Sequence, residues 1–197
     1  MRIIAQRKLG ISKHGMGSRM TTWVIVCVLV AAAAFVAITF NELIAARNRA
    51  RTAWANIDVQ LQRRHDLIPQ LAAVVKGYAD HESETLTAVT ELRARAQQEA
   101  SVAAKGQIES QIGAKLNNLV AVQERYPDLK ANENFMALQR ELVDTEDKLQ
   151  AARNDYNEAV RAYNTQIQNF PDVAIAKPFG FGAMDYFQAT DTAPVKL

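Results

Sequence analysis

Residues Thr21 to Phe40, TTWVIVCVLVAAAAFVAITF, contain no charged side chain, no glycine and no proline. Twenty residues at ~1.5 Å each span roughly the ~30 Å hydrocarbon core of a bilayer. A helix on the surface of a water-soluble core needs a polar stripe, and this run has none. A secretory signal core is usually ~7–15 residues long, and no small-x-small cleavage pattern follows here. The segment therefore predicts a membrane anchor. Ala33 and Ala37 stand at the small-xxx-small spacing that lets two such helices approach.

Charge is distributed unevenly around this run. Residues 1–20 form a basic tail with Arg2, Arg7, Lys8, Lys13 and Arg19 and no acid. Arg47, Arg49 and Arg51 follow the run within twenty residues. The positive-inside tendency then keeps the N-terminus in the cytoplasm and places the rest of the chain outside. Initiation at Met20 would delete the basic tail and reverse that count. Beyond residue 40 the chain has 18 basic and 21 acidic side chains, a balance that disfavours nucleic acid as a partner. The lone cysteine, Cys27, excludes an internal disulfide and argues against a thiolate metal site.

From Thr21 to Ile68 no helix breaker occurs, so the anchor can continue directly into a long helix. One heptad position runs Arg47, Trp54, Leu61, Ile68, Val75; its companion runs Leu43, Ala50, Ile57, Arg64, Leu71, Tyr78. Nine of these eleven are apolar or aromatic, the pattern of a helix packed along one stripe. The phase is the same on both sides of Pro69. The proline therefore reads as a kink on an outward position, with the loss of one backbone hydrogen bond at ~3 kcal/mol.

A second long heptad comprises Phe135, Leu142, Leu149, Tyr156, Tyr163 and Phe170, accompanied by Leu138, Thr145, Ala152 and Ala159. This helix is expected over about 132–170, capped by Asp128 or Asn132 and stopped before Pro171. Two shorter helices are expected between, over about 81–104 (ending near Gly106) and about 107–125. Ile108, Ile112, Leu116 and Leu119 face inward in the second. The predicted fold is all-α: a transmembrane helix over 21–40, an antiparallel four-helix bundle over 41–170, and a tail over 171–197 without regular helix. In that topology Arg64, a charge on a seam, falls opposite Asp144 to Lys148. Glu146 is its expected partner in a structural ion pair. Arg63, His65 and Asp66 are expected to point outward as an interaction surface.

Chemistry-bearing motifs are scarce. No HExxH, Glu-x-x-His, Walker loop, nucleophile elbow or dinucleotide fingerprint occurs, so no catalytic residue, cofactor or metal is assigned. The alternative is an enzymatic or ligand-binding site at His65, Asp66, His81 and Glu82, if the chain folds back between the two pairs. In the tail, Phe179, Phe181, Tyr186 and Phe187 read either as a flap over the open end of the helices or as aromatic side chains at the membrane interface near Arg47, Arg49 and Arg51.

The blocks AWANIDVQLQRRHDLIPQL, VKGYADHE, YPDLKANENFMALQRELVDTEDKLQAARNDYNEAVRAYNTQIQNFP and IAKPFGF resemble, in order, the signature blocks of the LemA family over about residues 41–187. The resemblance implies a single-pass protein of the bacterial cytoplasmic membrane with a helical domain and no established enzymatic activity. It implies no catalytic residues to carry over. The partners it suggests are the bilayer and either another protein or a second copy. A membrane metalloprotease or a TPM-domain protein enters by family association alone. The basic N-terminal tail is long for the family.

Overall fold

The computed structural model describes residues 14–78 and 83–187. It is all-α, with no strand among the described residues. The elements are α1 (His14–Lys76), α2 (Ser83–Gln98), α3 (Val102–Ala121), a 3₁₀ turn (Val122–Glu124), α4 (Pro127–Lys130), α5 (Glu133–Gln166) and α6 (Val173–Ala176). The described residues fall into two compact units, divided between Glu42 and Leu43.

The first unit consists of the apolar part of α1. Trp23, Val24, Ile25, Leu29 and Val30 are all more than half exposed. Only 6% of its most apolar stretch is buried. A core helix of a soluble protein would be covered, because exposing a large apolar side chain to water costs ~1.5–3 kcal/mol. Among the described residues one helix is thus long and apolar enough to cross a membrane, near the N-terminus.

In the second unit α1 and α5 run antiparallel. Trp54 meets Tyr156, Arg64 meets Glu146, and Tyr78 meets Asn132, equal steps along the two helices in opposite directions. Their heptads supply the inner faces: Leu43, Ala50, Ile57, Leu61, Ile68, Leu71 and Val75 on one side, Phe135, Leu142, Leu149, Tyr156 and Tyr163 on the other, all buried. Two seam positions depart from expectation. Tyr78 lies past the end of α1 and is 42% exposed, with its hydroxyl accepting from Asn132 Nδ2. Phe170 is 87% exposed, because α5 ends at Gln166 and the heptad phase has no helix left to hold it inward.

Other boundaries also differ. The second helix stops at Gln98 rather than near Gly106, since Ser101 caps the next one by accepting from Ala104 N. Gly106 therefore sits inside α3, fully packed. Asn132 Oδ1 caps α5 through Phe135 N, worth ~1 kcal/mol. Two short helical turns were not expected. One is α4, which buries Leu129 completely. The other is α6 in the tail, where residues 171–197 were expected to lack helix; it buries Ile175 and Ala176. Pro69 lies inside α1 on an exposed position.

The apolar interior falls into two clusters. One gathers Ile68, Leu71 and Val75 of α1 with residues from α2 to α5. The other joins Ala50, Ile57 and Leu61 of α1 to Leu149, Tyr156 and Val160 of α5 and to Phe187 of the tail.

A helix that continues through Pro69 predicts slow amide exchange from Asp66 to Ala73 on both sides of the proline. Pro69→Ala restores the hydrogen bond to the His65 carbonyl, so the unfolding free energy should stay or rise, by up to ~3 kcal/mol. A fast-exchanging gap at residue 69, or a less stable variant, contradicts this.

Candidate functional site

Between the two apolar clusters lies a charged layer. Arg64 is 1% exposed and forms ion pairs with two carboxylates. Its Nη1 donates to Glu146 Oε1 at 2.9 Å, and its Nη2 donates to Glu109 Oε2 and to the Glu109 carbonyl. Glu109 is completely buried, and its other oxygen, Oε1, accepts from His65 Nε2 at 2.8 Å. Glu146 is about a quarter exposed. One guanidinium thus ties α1 to both α3 and α5, and Glu109 is held from two adjacent residues of α1.

Electrostatics follow from this arrangement. Burial alone would lower the Arg64 pKa, but Glu146 and Glu109 outweigh it and the pKa is raised above the ordinary guanidinium value. Burial alone would push the Glu109 carboxyl up; the hydrogen bond from His65 and the charge of Arg64 reverse this, and its pKa lies below the ordinary 4.5. Arg153, half-buried on α5, has its pKa lowered by burial and then by the positive charge of Arg64.

His65 is therefore not an outward residue. It is 4% exposed, because at this level α1 packs against α3 as well as α5, which widens its buried face beyond one seam. Leu67 and Ile68 are likewise buried side by side. Arg63 and Asp66 do face solvent, and Asp66 accepts from Gln62 Nε2 at 2.9 Å. His65 and Asp66 consequently diverge; His81 and Glu82 lie outside the described residues. Glu109 was missed by the sequence reading. It stands seven residues from both Val102 and Leu116, on the inner stripe of α3, a position at which a carboxylate demands a buried cation.

Beside this layer a polar cleft of about 370 Å³ is lined by Asp58, Leu61, Gln62, His65, Ala96, Gln97, Lys105 and Glu109. Lys105 Nζ lies 5.9 Å from the centre of the Trp54 ring. Among the described residues, no three His, Cys, Asp or Glu side chains converge as a metal ion would require.

The tail forms a second constellation. Residues 181–187 lie against α5, which reads their main chain. Asn164 donates to the Met184 carbonyl and accepts from the Met184 N–H; Asn157 does the same with Phe187. The Tyr163 and Tyr156 hydroxyls donate to the carbonyls of Gly182 and Asp185. The spacings agree: seven helical residues rise ~10.5 Å, and three extended residues cover ~10 Å. The sequence signal is the doublet Tyr-Asn, repeated seven apart in YNEAVRAYN.

This docking divides the aromatic residues considered for the membrane interface. Phe187 is buried against Trp54, with the Arg153 guanidinium 5.3 Å from its ring centre. Phe181 is 8% exposed beneath Arg47, at 5.2 Å. These two are packed into protein, since the main-chain clamp holds their side chains inward. Phe179 and Tyr186 remain exposed, as do Arg49 and Arg51.

Arg64→Ala should destabilise the protein by ~3–5 kcal/mol in denaturant unfolding, because Glu109 would be left buried beside one neighbour. Arg63→Ala should change it by less than ~0.5 kcal/mol. Equal effects would contradict the layer. Since the folded Glu109 pKa is depressed, its stabilisation is complete above about 4.5 and is lost as pH falls through the folded value. Glu109→Gln should flatten the acid limb of stability against pH; an unchanged limb contradicts this. Replacing Asn157 and Asn164 together by alanine removes four hydrogen bonds at ~1 kcal/mol each. Limited proteolysis should then cut within 181–187, where the unaltered protein resists.

A family model described as LemA family matches residues 53–196. Protein LemA of Metamycoplasma hominis is 28% identical over 162 residues, covering 80% of this chain and 72% of that protein. Magnetosome protein MamQ 2 of Paramagnetospirillum magneticum is 36% identical over 76 residues, which is 39% of this chain and 28% of its own. Magnetosome protein MamQ of Magnetospirillum gryphiswaldense is 31% identical over 75 residues, again 28% of its length. The matched stretch contains Arg64, Glu109, Glu146 and both Tyr-Asn doublets, and the chain belongs to the LemA family.

Proposed function

We propose that this protein is a non-enzymatic, membrane-anchored scaffold or adaptor of the bacterial envelope that acts through protein–protein association. The observation that carries this reading is the engagement of both Glu109 oxygens, one by Arg64 and one by His65. The most deeply buried carboxylate among the described residues is thereby committed to holding helices together, and is not poised to exchange a proton with a substrate. The exposed side of the same α1 segment, with Arg63 and Asp66, is the proposed contact surface for a protein partner or a second copy. The apolar N-terminal helix supports residence in the cytoplasmic membrane, and the excess of basic residues before it supports an extracytoplasmic domain.

Crosslinking in native membranes, followed by mass spectrometry, tests this reading. Crosslinks from lysines introduced at Gln62 or Asp66 to a reproducible partner or a second copy are expected. Their absence, together with stoichiometric metal in the purified full chain, would reject it. A second reading rests on the polar cleft lined by His65, Gln97, Lys105 and Glu109, which has the size of a small-molecule site. Under that reading Lys105→Ala abolishes binding of a small polar ligand while leaving the crosslinks intact.

A further inference from the structure

The end of the second unit at which α5 gives way to the tail bears exposed aromatic and basic side chains. Phe170 is 87% exposed and Phe179 57% exposed, in a domain that buries its other phenylalanines to 8% or less. One compact turn presents both. Val173 N–H donates to the Asn169 carbonyl, Ala174 N–H to that of Pro171, and Phe179 N–H to that of Ile175. Ile175 and Ala176 anchor this turn from below, and Phe181 N–H donates to the Ala176 carbonyl. Phe181 in turn lies beneath Arg47, which fixes the turn at the level of Arg47 along α1.

Connectivity then limits where this turn can be. Arg47 stands seven positions after Phe40, the last of the uncharged run. That is about 10 Å at the rise of a helix, and no more than about 25 Å in any conformation. The polar headgroup layer adds several ångströms to the hydrocarbon core on each face. Arg49, Arg51, Arg161 and Lys177 are exposed at the same end and outnumber its acids, Glu158, Asp172 and Asp185. Aromatic rings flanked by cations are the composition of a bilayer interface, where rings sit among headgroups and cations meet lipid phosphates.

We propose that the Phe170–Phe179 turn is a second membrane contact, docking this end of the helical domain onto the headgroup layer of the bilayer that holds the anchor. The occupant is lipid. Phe170 and Phe179 enter the interface, while Arg49, Arg51 and Lys177 meet anionic headgroups. This goes beyond the scaffold reading and does not depend on it.

The test uses the full chain with Trp23→Phe, reconstituted in vesicles of phosphatidylcholine and phosphatidylglycerol. Phe170→Trp, Phe179→Trp and Val59→Trp are compared with that parent, whose remaining Trp54 signal is common to all. Val59 is an exposed apolar residue on α1, away from this turn. Lipids brominated near the carbonyls should quench the tryptophans at 170 and 179 at least about twofold more than the one at 59. Omitting phosphatidylglycerol should reduce that difference. Quenching at 170 and 179 no greater than at 59 overturns the proposal. So does protection from aqueous iodide without quenching by brominated lipid, which would assign the patch to a protein contact. The two positions are exposed and tested separately, so failure of one variant to fold leaves the other decisive.

Discussion

The Arg64 guanidinium is the point at which three helices of the domain are held to one another. Apolar seams alone tolerate sliding, because one leucine layer packs much like the next. A buried cation between two carboxylates does not slide: a shift by one turn strands Arg64, Glu109 or both in an apolar environment, at a cost of several kcal/mol. Replacing the layer by well-packed apolar side chains is often neutral or favourable for stability. What such a layer contributes is discrimination between registers, and its position between the two apolar clusters suits that task.

His65 contributes to the same layer from the neighbouring position on α1. It consumes the second Glu109 oxygen, so the carboxylate is satisfied from both sides. Together with Glu109 it also lines the polar cleft. The same charges act further along α5, where Arg153 feels the field of Arg64 while stacking on Phe187. The charged layer and the docked tail thus meet on one face of α5.

The long helices and their facing stripes were legible because seven-residue spacing is a property of sequence alone. The opposition of Arg64 to the stretch from Asp144 to Lys148 followed from the helix lengths. Glu109 was not legible in the same way. The inward stripe of its helix reads as Ile108, Ile112, Leu116 and Leu119, and a carboxylate in the phase of Leu116 carries no apolar signal of its own. The inward turn of His65 depends on α1 having two neighbours at that level, a tertiary fact that a single stripe does not encode. Phe170 illustrates the converse: its heptad phase is perfect, but the helix stops four residues earlier. The cleft is bounded by α1, α2 and α3 together, and no local pattern announces it.

The clamp on the tail has a consequence for how that segment can vary. The amides of Asn157 and Asn164 and the hydroxyls of Tyr156 and Tyr163 bond to peptide groups of the tail, so these hydrogen bonds are indifferent to most side chains between Gly182 and Phe187. They are not indifferent to length. Their own separation is set by the rigid pitch of α5, and one residue added or removed between Met184 and Phe187 would displace the tail by ~3.4 Å, misaligning peptide groups and carrying Phe187 out of its place beside Trp54. The segment works as a ruler graduated by α5: substitution rewrites its face, whereas insertion or deletion spoils its scale.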